Sequence, residues 1–279
     1  MSAWSRVCCL LVVCCLACGQ AWAASRCSER KPSLLLMGKI SCSYQSRWID
    51  SGLVGQRKVI YQLPLGVPPA QGWPVVLVYQ GSFFPLNDFT YYSVMPFGGY
   101  HEGQLIKRLL DNGFAVVAPS APADLFWQTN LPGLAQHYTQ STDYHFLGNV
   151  FAAIAAGEFG PLDSQRKYAT GISSGGYNSS RMAVSFAGEF RALAIQSASY
   201  ATCSGPLCTV PQVLPADHPP TLFLHGFVDM TVPWWSMNLY YQRLQEQGIS
   251  SARHTDWLAG HEWLEQAPEL ILDWFRRYP

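Results

Sequence analysis

Charge is scarce in this 279-residue chain: Asp, Glu, Lys and Arg make up 13% of it, and 18 acidic side chains balance 18 basic ones. Such a surface offers no electrostatic footprint for a polyanion, which argues against nucleic acid as a partner. Long apolar runs are missing as well. After the first residues no stretch reaches the roughly 20 apolar positions that a membrane-spanning helix needs. There is no internal repeat, no low-complexity tract and no Ser/Pro-rich linker from which a separate binding module could hang. Cysteine is sparse too, because five of the nine lie before residue 19. The other four, Cys27, Cys42, Cys203 and Cys208, lack the paired C-x-x-C spacing of a structural zinc site.

What is present at the start is Arg6, an apolar run from Val7 to Ala17 and the small-residue stretch Ala21-Trp22-Ala23, the three regions of a secretory signal. The expected boundary puts residues 1–23 in the signal peptide and 24–279 in one domain. A lipid anchor at Cys18 is the competing reading, but Cys15 stands where an aliphatic residue is wanted. The expected product is a soluble, secreted, extracellular protein. In an exported chain four cysteines imply disulfides. Of the three connectivities, Cys27–Cys42 and Cys203–Cys208 are favoured because each pair is close in sequence.

Composition indicates a globular chain large enough for one sizeable core, with 49% hydrophobic residues. Residues Ser25 to Gly55 read as polar and irregular. Strands are expected at Arg57–Leu63, Pro74–Tyr79, Phe114–Ala118, Arg191–Ser197, Thr221–Leu224 and Ala252–Leu258. Between them lie helices at Gly103–Asp111, at a long apolar segment capped by Asp143 and ending near Gly157, at Met237–Gln247 and at Leu264–Tyr278. Strands alternating with helices predict an α/β fold with a mostly parallel central sheet and helices on both faces.

The segment from Lys167 to Ala183 organises the rest, as a strand, a sharp turn and a helix. Gly171-Ile172-Ser173-Ser174-Gly175 has the form G-x-S-x-G, in which small residues let strand and helix backbones meet and a serine projects from the turn. Ser173 is the candidate nucleophile, and the Ser174 backbone N–H is placed to donate to an oxyanion. In this topology the acid and then the histidine follow on loops after later strands. Asp229 follows the strand Thr221–Leu224, and His261 follows the next strand. His225 precedes the acid and so breaks the order; His254 and Asp256 fall within a strand, and Asp217 sits beside Pro219-Pro220 in a loop. The second oxyanion donor is expected from the loop after Tyr79, where Gly81 permits a tight turn, and is assigned to the Ser82 backbone N–H.

These residues, together with the chain length, the signal and the absence of a linker, resemble the extracellular medium-chain-length polyhydroxyalkanoate depolymerases, secreted α/β hydrolases that degrade poly(3-hydroxyoctanoate). The resemblance spans essentially the whole mature chain and implies Ser173, Asp229 and His261 as the triad. Related short-chain enzymes generally carry a separate binding domain and often a histidine before the oxyanion glycine; here Gln80 stands at that place.

The expected function is hydrolysis of a hydrophobic polyester by acyl transfer, with no cofactor and no metal. Phe83, Phe84, Phe89, Tyr91, Tyr92, Met95 and Phe97, with Trp234 and Trp235 after Asp229, supply an apolar face for such a substrate. A carbohydrate or feruloyl esterase, a lipase-like carboxylesterase and a non-catalytic hydrolase-like binding protein are the alternatives.

Overall fold

The computed structural model describes residues 23–86, 88–204 and 207–279, so the expected signal peptide lies outside the described residues except for Ala23. In chain order the strands and helices are β1 (Cys27–Arg30), β2 (Lys39–Cys42), β3 (Gln45–Asp50), β4 (Gln56–Gln62), β5 (Trp73–Tyr79), β6 (Thr90–Tyr92), α1 (Gly99–Asp111), β7 (Ala115–Pro119) and α2 (Thr142–Ala155). They continue with β8 (Leu162–Ile172), α3 (Ser174–Ser185), β9 (Ala192–Gln196), β10 (Thr221–Gly226), α4 (Trp234–Glu246), β11 (Ser251–Asp256) and α5 (Ala267–Arg276).

An eight-stranded sheet in the order β11-β10-β9-β8-β5-β7-β4-β3 forms the centre. The run from β11 to β7 is parallel, and β4 and β3 extend it antiparallel. Strand β5 has all seven residues buried, as expected of a strand covered on both faces. Its side chains divide by alternation. Val76 and Val78 pack with α1 and α5, whereas Val75, Leu77 and Tyr79 pack with α2 and α3. This is the α/β-hydrolase fold.

The segment Ser25 to Gly55, expected to be irregular, holds three strands. Strands β1 and β2 pair antiparallel with β6 in a small second sheet, and β3 forms the edge of the large one. Strands β1 and β3 are almost wholly exposed, so they lack the apolar alternation that marks a strand in sequence. The cysteine pairing agrees with expectation: Cys27–Cys42 joins directly opposed positions of β1 and β2, and Cys203–Cys208 closes a short loop.

Asp143 does not cap α2. The cap is Ser141, whose hydroxyl accepts from the Tyr144 N–H at 3.1 Å, while Asp143 is fully buried in the first turn of the helix. Its carboxylate meets the Arg57 guanidinium at 2.7 Å and accepts from the Gln128 N–H at 2.5 Å. Arg57 gives its other donors to the Ser120 carbonyl at 3.0 and 2.6 Å and lies over the Phe146 ring. Burial pushes the Asp143 carboxyl up, against the pull of Arg57 and the Gln128 N–H. Helix α1 starts four residues before the expected Gly103, and α4 starts at Trp234, so Trp234 and Trp235 open a helix instead of lying in a loop.

Arg57→Leu leaves the Asp143 charge buried and unpaired, and is expected to lower unfolding stability in urea by about 3–5 kcal/mol. Replacing both partners by leucine should recover much of the loss. Reduction of the disulfides is expected to lower Tm by several degrees, since closing a loop of the size between Cys27 and Cys42 is worth about 3 kcal/mol in the chain-entropy view. Thermal scans with and without reductant, beside peptide mapping of the unreduced protein, check this.

Candidate active site

Strand β8 runs out of the core and ends at Ile172, and the next residue, Ser173, has φ +56° and ψ −121°. That is strained for a residue with a side chain and persists only where the surroundings enforce it. Enforcement comes from close backbone contact. A β-carbon at Gly175 would lie 2.1 Å from the Tyr79 carbonyl oxygen, and one at Gly171 would lie 2.6 Å from the same atom. The Ser173 N–H donates to the Gln196 carbonyl at 3.1 Å, and its own carbonyl accepts from Tyr177 N–H at 2.9 Å as the first bond of α3. The half-buried Ser173 side chain is therefore presented at the carboxyl edge of the sheet, beside the N-terminus of α3.

Asp229 and His261 come from the loops after neighbouring strands β10 and β11. The two loops are stitched together: Phe227 N–H donates to Asp256 O at 2.7 Å and Val228 N–H to Ala259 O at 3.2 Å. A β-carbon at Gly226 would lie 2.3 Å from the carbonyl oxygens of Ala259 and Gly260, so only glycine allows this approach. Asp229 Oδ1 accepts from the N–H groups of Thr231 and Val232, both at 2.8 Å. Its Oδ2 faces His261 Nδ1 at 2.7 Å. Burial opposes the Asp229 charge, but hydrogen bonds from His225, His261 and the Val232 N–H outweigh it and hold the carboxyl well below the usual range. The side chain therefore stays ionised far into acid.

His225, passed over in the sequence because it precedes the acid, lies directly beneath Asp229. It is fully buried, with Nε2 at 2.8 Å from the Val232 carbonyl and 3.3 Å from Asp229 Oδ2. Asp256 serves the other loop: its Oδ1 accepts from Leu258 and Ala259 N–H at 2.9 and 3.1 Å, shaping the turn that leads to His261. His254 sits in edge strand β11 and Asp217 is exposed in a loop, so the structure brings neither to the site.

The loop after β5 closes over the serine turn, with the β-carbon direction of Gly81 pointing at Ile172 Cγ2, 3.2 Å away. Gln80 anchors it: its carbonyl accepts from the Trp127 indole at 3.2 Å, and its amide bonds Ala121 N–H at 3.0 Å and Asp124 O at 3.1 Å. The Trp127 backbone N–H in turn donates to Ser174 Oγ at 2.9 Å, tying this loop to the start of α3. The Phe83 N–H is taken by Leu125 O at 2.7 Å and the Phe84 N–H by Gly81 O at 3.4 Å.

Ser82, Ser173 and His261 open onto one cavity of about 470 Å³. Its walls are largely apolar and include Phe83, Phe84, Phe89, Tyr91, Met95 and Phe97 of the expected apolar face. Phe97 meets the His261 ring edge-on, with centroids 5.8 Å apart. Tyr92 points elsewhere, under Lys39, and Trp234 donates its indole N–H to Thr255 Oγ1. The loops after β10 and β11 expose Met230, Trp257 and Leu258, which the sequence reading did not single out. Among the described residues no group of three or more His, Cys, Asp or Glu is placed to hold a metal ion, and no helix is long and apolar enough to cross a membrane.

Comparisons with known proteins bear on the fold and the kinship of the chain. No family model matches the chain. In fold the chain is similar to S-formylglutathione hydrolase from Staphylococcus aureus, with a TM-score of 0.56 and 14% identity, covering 88% of this chain and 99% of that one. It is equally similar to a lipase/esterase from Lactobacillus plantarum, with a TM-score of 0.56 and 15% identity over 84% of this chain and 98% of the other. In sequence it is 72% identical, over 274 residues and 98% of both chains, to a poly(3-hydroxyoctanoate) depolymerase from Pseudomonas fluorescens. Identity of that depth over the full length establishes kinship, and the chain belongs to the poly(3-hydroxyoctanoate) depolymerase family, carboxylic-ester hydrolases on an α/β-hydrolase frame.

Proposed function

We propose that Ser173, His261 and Asp229 form the catalytic triad of a secreted depolymerase acting on medium-chain-length poly(3-hydroxyalkanoates), with residues 24–279 as its single catalytic domain. The observation that carries this reading is the Asp229–His261 contact of 2.7 Å beside a strained serine turn opening on the same apolar-walled cavity. In the proposed cycle His261 takes the Ser173 hydroxyl proton as Oγ attacks the ester carbonyl. The carbonyl oxygen becomes an oxyanion held by the Ser82 and Ser174 N–H groups. Collapse breaks the ester bond, and His261 returns the proton to the departing alkoxide. Water, deprotonated by the same imidazole, then attacks the acyl-enzyme, and Ser173 leaves with its proton restored. Asp229 fixes the imidazole orientation and stabilises its positive form. This chemistry calls for no metal and no cofactor.

The walls favour a hydrophobic acyl chain over the sugar ester of a carbohydrate or feruloyl esterase. Adsorption to an insoluble polymer is supported by the exposure of Phe83, Met230, Trp235 and Leu258. Export is supported by the two disulfides and by the composition of the first 23 residues.

Ser173→Ala should fold normally and lose several orders of magnitude in turnover of a soluble ester, because the members of a triad act as a unit. Asp229→Asn should be nearly as damaging and Asp256→Asn mild, since an asparagine oxygen can still accept from Leu258 and Ala259; the opposite ranking would move the acid to the other loop. The purified protein should clear poly(3-hydroxyoctanoate) latex and leave poly(3-hydroxybutyrate) latex turbid. Ser173→Ala should still bind the particles in high salt, and more weakly when Met230→Ser and Leu258→Ser are added. Binding that collapses with salt would point to a charged contact instead.

A further inference from the structure

Strand β9 lies between the strand that ends at the serine turn and the strand that leads to Asp229, yet it carries no member of the triad. On the face covered by α1 and α5 it places Ala192, Ala194 and then Gln196 by alternation, and the last of these is a fully buried polar side chain. A buried amide persists only where its hydrogen bonds are made. Those of Gln196 reach all three segments of the site. Its backbone carbonyl accepts the Ser173 N–H at 3.1 Å. Its Nε2 lies 2.7 Å from the Glu262 carbonyl and 3.1 Å from the Leu224 carbonyl, and its Oε1 accepts from the Leu264 N–H at 3.5 Å. Carbonyl oxygens only accept, so the nitrogen must face Glu262 and Leu224, which fixes the orientation of the amide. Leu224 belongs to β10, and Glu262 is the residue after His261. Ser197, also fully buried and held at φ +49°, gives its hydroxyl to the same Glu262 carbonyl at 3.2 Å, so both lone pairs of that oxygen have a donor. The next residue, Trp263, donates its backbone N–H to Phe97 O at 2.9 Å, while its indole hydrogen-bonds the buried Glu102 carboxyl of α1. The loop that carries His261 is thus clasped to the sheet at Glu262 and to the α1 side at Trp263.

We propose that Gln196 is a positioning residue for the reaction, holding the backbone of His261 in register with the Ser173 turn, and that Ser197 assists it. The proposal rests on the reading of Ser173 as nucleophile and His261 as base. One residue grips the nucleophile turn through its carbonyl and, through its side chain, the peptide that follows the base. The Asp229 contact fixes the imidazole at one ring nitrogen only. The backbone from which the ring hangs is placed by the Glu262 carbonyl and its two donors. A hydrocarbon side chain of the same length at position 196 would fill the space but leave that carbonyl with Ser197 alone. Proton transfer depends steeply on geometry, and a misplacement of about 1 Å costs about a hundredfold in rate. Because His261 serves both acylation and deacylation, its displacement slows both steps together, which lowers kcat and leaves KM almost unchanged.

The test measures kcat and KM for nitrophenyl octanoate in the wild type, Gln196→Met and Ser197→Ala, with active serines counted by organophosphate labelling taken to completion. Expressing kcat per labelled serine removes any unfolded fraction from the comparison. Gln196→Met is expected to lower kcat per labelled serine by about a hundredfold with KM within about threefold of the wild type. Ser197→Ala removes one donor from the same carbonyl and is expected to lower kcat by about three- to tenfold. A glutamine with a merely structural role would instead lower Tm and the number of labelled serines, and leave the turnover of each unchanged. A Gln196→Met loss below about fivefold per labelled serine, or a loss confined to KM, overturns the proposal. If Gln196→Met yields no folded protein, a Ser197→Ala loss below about twofold overturns it in its place. Labelling of a serine other than Ser173, or full turnover by Ser173→Ala or His261→Ala, refutes the underlying triad and is a separate result from any change at Gln196.

Discussion

The Tyr79 carbonyl oxygen stands where a side chain at position 175 would have to begin. That exclusion, between the end of β5 and the first turn of α3, is the constraint on which the site depends. It requires small residues on both sides of Ser173, forces the serine into a positive-φ conformation and brings the loop after β5 within reach of the same turn. Because β5, β8, β9 and β10 run parallel, their carboxyl ends share one edge. The loops that carry Ser82, Ser173, Asp229 and His261 must then crowd together, and a parallel sheet places its ligands at that edge.

Behind the edge lies a second support with no part in the chemistry. The Arg57–Asp143 pair fastens β4 to α2, Asp143 holds the Gln128 N–H, and the neighbouring Trp127 bonds both Gln80 and Ser174. A buried ion pair is a poor source of net stability, because desolvation offsets much of its attraction. What it provides here is placement. The segment carrying Trp127 has little regular structure, and its position over the oxyanion loop is set by side-chain bonds of fixed direction.

The serine turn, the order of acid and histidine and the buried strands were legible in the sequence because each depends on local pattern: small residues around a serine, and continuous apolar runs ending in loops. Strands β1 and β3 were not, since an exposed edge strand needs no apolar alternation. Asp143 carries a helix-cap signature, but Ser141 fills that role and a partner 86 residues away claims the carboxylate. His225 was set aside by a rule about chain order that concerns the base, whereas its place is under the acid. Glu102 gave no signal at all: in an amphipathic helix a glutamate reads as a solvent-facing residue, and only the packing of β6 and Trp263 around it reveals its burial.

The fastening of Trp263 to Phe97 joins segments separated by more than half the chain. Proteins are made from the N-terminus, and contacts between distant segments form last. A growing chain can complete β5, the serine turn and α3 while the cavity still lacks both its histidine and the wall beside it. The Ser173 turn draws its contacts from Tyr79, Tyr177 and Gln196, all of which precede the loop that carries His261.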